Sequence, residues 1–82
     1  MATLVTALGT AFTPTATTFI VEVSGQGHVH LQRRASASDP WVGVRGNPII
    51  GGEAVNVLNP YIGAVYRLMS IDGGSPTVKA IE

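Results

Sequence analysis

The chain has 82 residues, with five Lys and Arg, five Asp and Glu, two His and no Cys. That length makes one small domain with a thin core, the absence of Cys excludes disulfide or thiolate-metal support, and oligomerisation is the expected source of extra burial. Charged residues at 12% are about half the share usual in soluble domains, and zero net charge favours association while offering nucleic acid no footing.

Turn signals fall at Thr13-Pro14, Ser24 to Gly27, Ser38 to Pro40, Gly46 to Pro48 with Gly51-Gly52, Asn59-Pro60 with Gly63, and Asp72 to Pro76. Spacings of roughly 8–12 residues with β-favouring residues between them define an all-β antiparallel sandwich or barrel. No segment holds the 3.6-residue apolar period of a helix. Seven short strands are expected, at 3–9, 17–24, 28–34, 41–46, 53–58, 64–71 and 76–82. Residues 1–16 read as a first strand or as an extended arm ordered on a neighbouring subunit. The opening "MATLVTALGTAFTPTATTF" has neither a basic start nor a continuous apolar run, so a cleaved signal is not expected. No apolar run approaches the roughly 20 residues that cross a bilayer as a helix.

Successive strand side chains point to opposite faces, so alternation separates inside from outside. In the second strand Phe19, Val21 and Val23 oppose Ile20, Glu22 and Ser24. In the third, Val29 and Leu31 oppose His28, His30, Gln32 and Arg34. A Ser-Ala-Ser-Asp-Pro loop then leads to Trp41, expected in the core or at its rim. In the fifth, Val55 and Val57 oppose Ala54 and Asn56. The sixth has Tyr66 and Leu68 on one face and Val65, Arg67, Met69 and Ile71 on the other. A strand apolar on both faces is covered on both: either a second copy covers Val65, Arg67, Met69 and Ile71, or the strand is central between longer neighbours.

The carboxylates Glu22, Asp39, Glu53, Asp72 and Glu82 are scattered over different elements. Asp39 and Asp72 stand in turn contexts, and no serine has a nucleophile elbow. The Gly pairs lack the following helix that a phosphate cradle needs. No catalytic residue and no cofactor are expected. His28 and His30 face the same way, but two imidazoles fall short of the three or four ligands zinc requires; only symmetry, as in a threefold cage, would complete a site. Arg33 and Arg34 point to opposite faces, so they form no basic patch. One is expected to pair with Glu22 or Glu53, and the other, Arg34, to anchor a subunit contact. The turn "LNPYIGAVYRL" resembles a tyrosine corner, with Tyr66 bonding back to the turn's backbone.

The order of features from about residue 17 onward resembles a group of small virion proteins of tailed bacteriophages. The residues that carry it are Leu31, Gln32, Arg33, Asp39, Trp41, Val42, Val44, Gly63, Tyr66, Arg67, Leu68, Thr77 and Val78. The family's Asp-Gly-Gly before the tryptophan is replaced here by "SASDP". The resemblance implies a non-enzymatic virion component assembled in the host cytoplasm. Its expected form is a homo-oligomer, with a trimer favoured, that docks on the major capsid or another virion protein and stabilises the shell as a decoration or cement subunit. A tail- or head-fibre-associated adaptor is the neighbouring alternative. A small carbohydrate- or host-surface-binding sandwich using Trp41, His28 and His30 is another. Neither nucleic acid nor membrane is an expected partner.

Overall fold

The structure, a computed structural model, describes residues 2–82. Eight strands run β1 (Thr3–Val5), β2 (Thr18–Ser24), β3 (His28–Arg34), β4 (Val42–Gly43), β5 (Ile49–Ile50), β6 (Ala54–Leu58), β7 (Val65–Ser70) and β8 (Thr77–Ile81), with no helix among the described residues. One antiparallel sheet has the order β1-β8-β2-β6. In the other, β3 pairs with β7 on one side and with β4 and β5 on the other. The two sheets pack face to face as a small β-sandwich, the fold class that turn spacing and alternation imply.

The inward faces are those the alternation assigns. Phe19, Val21 and Val23 of β2, Val29 and Leu31 of β3, Tyr66 and Leu68 of β7, and Val78 and Ala80 of β8 are all buried. Phe12, Phe19 and Tyr66 form an aromatic trio at one end, with centroids 4.9 to 5.9 Å apart. Two of the three contacts are edge-on, the geometry in which ring quadrupoles attract.

The N-terminal segment departs from the expected first strand. Pairing ends at Val5, and the chain then crosses to the other sheet. There Gly9 N–H donates to Leu68 C=O at 2.7 Å, and Phe12 exchanges hydrogen bonds with Tyr66 at 2.8 and 2.9 Å. Residues 2–12 therefore satisfy the outer edges of both β8 and β7. The segment belongs to this chain's own core, because it delivers buried Val5, Phe12 and Pro14. Glu82, just past β8, pins the next two residues of the segment. Its carboxylate accepts from Thr15 N–H at 2.9 Å, Thr15 Oγ1 at 2.8 Å and Ala16 N–H at 3.0 Å.

Two further expectations change. The strand expected at 41–46 shrinks to Val42–Gly43, and an extra strand appears at Ile49–Ile50, inside a stretch read as turn. Nor is β7 central, since its neighbours are β3 and the bridge at Phe12.

At the β2–β3 turn the packing is backbone against backbone. Gly51 N–H donates to Gly27 C=O at 3.1 Å, and a Cβ on Gly51 would overlap the Gly25 carbonyl. Only glycine allows that approach.

Candidate functional site

Among the described residues the chain gathers its unspent polar chemistry on the outer face of the β3–β7 sheet. Alternation sends His28, His30, Gln32 and Arg34 of β3 outward, opposite Met69, Arg67 and Val65 of β7 at His30, Gln32 and Arg34 respectively. Trp41, just before β4, folds over this face. The guanidinium carbons of Arg34 and Arg67 lie 4.3 and 4.4 Å from the centroid of its ring. At such distances the ring's negative face attracts a cation by roughly 0.5–2 kcal/mol, more as water is excluded. Gln32 fixes Arg67 further, accepting from its Nε at 2.7 Å. Arg34 Nε is buried and has no hydrogen-bond partner.

These residues include three of the interface candidates, Val65, Arg67 and Met69, all half-buried, together with half-buried Arg34. Ile71, the fifth, lies beyond β7 and is 48% exposed. The intramolecular cover on β7's outer face therefore comes from Trp41 and Arg34. Trp41 sits on the outside of the sheet and packs against cations, so its expected place in or beside the core shifts to this half-buried surface position.

Neither adjacent arginine pairs with Glu22 or Glu53. The one basic–acidic side-chain contact within 4 Å among the described residues is the hydrogen bond between His28 Nδ1 and Asp72 Oδ2, 3.1 Å. Arg33 instead lies 5.3 Å from the Tyr61 ring centroid and 6.0 Å from that of Tyr66. The reason is geometric: Glu22 and Glu53 stand near the β2–β3 turn, and the arginines end β3 at the far end of the sandwich.

The histidines face solvent on the same strand. His28 is held by Asp72, and no group of three or more His, Cys, Asp or Glu suited to a metal occurs among the described residues. Asp72 also accepts from Gly74 N–H at 3.1 Å and Ser70 Oγ at 3.5 Å. The imidazole, with the Gly74 amide, holds its carboxyl below the usual carboxylate range. A catalytic triad needs the imidazole between hydroxyl and carboxylate. Here the carboxylate stands between Ser70 and His28, so His28 is not placed to take the serine proton.

The tyrosine corner takes a different form from the expected one. Tyr66 Oη donates to the side chain of Asn59 (Oδ1, 2.9 Å), not to turn backbone. Asn59 Nδ2 in turn donates to Ala16 C=O at 2.9 Å and Pro14 C=O at 3.4 Å. Asn59 is 2% exposed, and this buried relay ties the N-terminal segment to the β6–β7 turn. Sequence reasoning passed over it as a turn residue; the Asn-Pro pair seven residues before the tyrosine was its only signal.

A second feature is an open cleft of ≈ 510 Å³ between the edge of β6 and the β4–β5 connection, lined among others by Leu31, Arg33, Arg45, Asn56 and Leu58. The Thr17–Asn59 and Val23–Glu53 pairs carry hydrogen bonds between β2 and β6. The alternation of an antiparallel ladder therefore turns the backbone of Ala54, Asn56 and Leu58 outward.

Comparison with protein-family models, with curated proteins and with solved structures finds no match.

Proposed function

We propose that this protein is a non-enzymatic structural subunit of a tailed-phage virion, an oligomeric decoration or cement protein that stabilises a shell through added interface. The observation that carries the reading is the outer face of the β3–β7 sheet. There a half-buried Trp, two Arg and the apolar Val65 and Met69 form a contiguous surface, and interface cores favour Trp, Met and Arg. The low charge fraction and zero net charge support the same reading, since a subunit surrounded by protein has little use for a charged surface. Three of the thirteen residues that carry the resemblance, Gln32, Trp41 and Arg67, form one contact network here.

A carbohydrate-binding sandwich is the less favoured reading. Sugar stacking needs an aromatic face open to solvent, and the Trp41 ring already carries two guanidinium groups.

The test is co-sedimentation of the purified protein with phage heads and, separately, with tails. Saturable binding to heads, weakened by Trp41→Ala, is the expected result. Binding to tails alone moves the assignment to an adaptor, and binding to neither overturns the virion reading.

A further inference from the structure

The charges of the sandwich are spent unevenly. Of the five carboxylates, Glu82 is held by Thr15 and Ala16, Asp72 by His28 and Gly74, Asp39 by Ser36 and Glu53 by the Ile50 amide. Glu22 alone has no side-chain hydrogen bond or ion pair among the described residues, although Lys79 stands opposite it on β8. It is exposed on the outer face of the β1-β8-β2-β6 sheet, near the β2–β3 turn. Arg34 and Arg67 form the complement: both are stacked on Trp41, neither has a carboxylate within ion-pairing distance, and Arg34 Nε is buried without an acceptor. They occupy the outer face of the other sheet, at the far end of β3.

A guanidinium locked against an indole has lost most of its side-chain freedom before any partner arrives. Its outward N–H groups are set as a fork for a carboxylate. Two such guanidinium groups on one ring, their Nη atoms without a hydrogen-bond partner among the described residues, make a receptor for an acid that the chain itself does not supply. Exposed apolar side chains lie toward the same two ends. Val42 and Tyr61 lie beside Arg33 at the arginine end, and Ile50 and Ile71 are near the β2–β3 turn.

We propose that the Arg34–Trp41–Arg67 stack receives Glu22 of a second copy of this chain, so that copies join head to tail. The inference rests on the reading of the protein as a self-assembling subunit and specifies how it assembles. Carboxylate and receptor lie on opposite faces and toward opposite ends, so the contact is heterologous. A copy joined to one neighbour keeps its other patch free, so a joined pair still presents one patch of each kind and growth continues to a ring or a chain. The alternative of a self-complementary pair would bury the same patch twice and stop at two.

Mixing separates these outcomes. The wild type is expected to show concentration-dependent mass above the monomer in light scattering, weakened by salt. Glu22→Arg removes the carboxylate, and Arg34→Gln with Arg67→Gln removes the receptor. Each should weaken self-association by at least about tenfold, the scale of losing one partner of an interfacial charge pair. An equimolar mixture of the two variants retains one good carboxylate and one good receptor. It should form a species of two chains and nothing larger, which also shows that both variants are folded. A wild type that stays monomeric at the highest attainable concentration overturns the proposal. So do variants that associate like the wild type, or a mixture that stays monomeric or grows beyond two chains. The two readings fail separately. A monomer that sediments with phage heads overturns this contact and upholds the virion assignment, whereas head-to-tail assembly by a protein indifferent to phage particles does the reverse.

Discussion

The two ends of the sandwich are held by different means. At the β2–β3 turn Gly51 meets the Gly25 backbone at a distance that leaves no room for a side chain, and Gly27 lies close against the Pro76 ring. At the other end side chains do the joining. Phe12, Phe19 and Tyr66 pack together, Asn59 links Tyr66 to Ala16, Glu82 holds Thr15, and Arg34 and Arg67 lie on Trp41. The first end is defined by what is missing from its residues, and the second by what those residues carry. A steric seal tolerates no addition, whereas a seal of several side-chain contacts can lose one and keep the rest.

Substitutions can break that contrast in order of size. Gly51→Ala attacks the steric end and has no small remedy, because the added methyl meets a backbone carbonyl. It should lower stability by about 3 kcal/mol or more, read as the shift in urea midpoint at unchanged slope; a loss no greater than that of a surface substitution would mean that the turn repacks freely. At the side-chain end, Asn59→Ala leaves the buried Tyr66 hydroxyl and the buried Pro14 carbonyl without their partner, at about 2–3 kcal/mol. Tyr66→Phe removes one donor and leaves Asn59 its other bonds, so it should cost only about 1 kcal/mol. Equal costs for the two would dissolve the relay as a unit.

The smallest effect is one of pH. Hydrogen bonds from Ala16 and Thr15 hold the Glu82 carboxyl below its usual range, and those from His28 and Gly74 do the same for Asp72. A carboxyl depressed in the folded state binds its proton less readily there than in the unfolded chain. Its contribution is therefore complete above the ordinary carboxylate range and is lost as pH falls through the folded value. Melting temperature should decline below about pH 4. Glu82→Gln should be slightly less stable at neutral pH and should flatten that decline. A decline of undiminished depth in the variant would remove Glu82 from the account.

Much of the fold was legible because period-two alternation is a strong signal where one face is buried. The inward faces of β2, β3 and β7 follow it residue by residue. Ile49–Ile50 was not legible, since a two-residue strand has no period to show. The path of residues 2–12 was hidden for another reason: its hydrogen bonds go to β8 and β7, more than fifty residues away in sequence. For the candidate site, alternation placed Arg34, Val65, Arg67 and Met69 on one outer face. It missed the stacking on Trp41, because the loop that returns the indole to that face carries no pattern of its own. The expected pairing of an arginine with Glu22 or Glu53 failed because the two ends of neighbouring strands, close in sequence, are separated by the strands' own length.

The crossing of residues 2–12 from one sheet to the other has a consequence for how the molecule opens. On that side the sheets share a single stretch of backbone, bonded to both edges, so they cannot part there without giving up the whole stretch. On the opposite side the edge of β6 borders the open cleft with the outward backbone of Ala54, Asn56 and Leu58 unmet by any strand. On the β6 side the crossing at residues 50–54 ties the sheets only beside the β2–β3 turn, so the far end of that side is the less firmly bound, and a visiting strand meets free β6 backbone there.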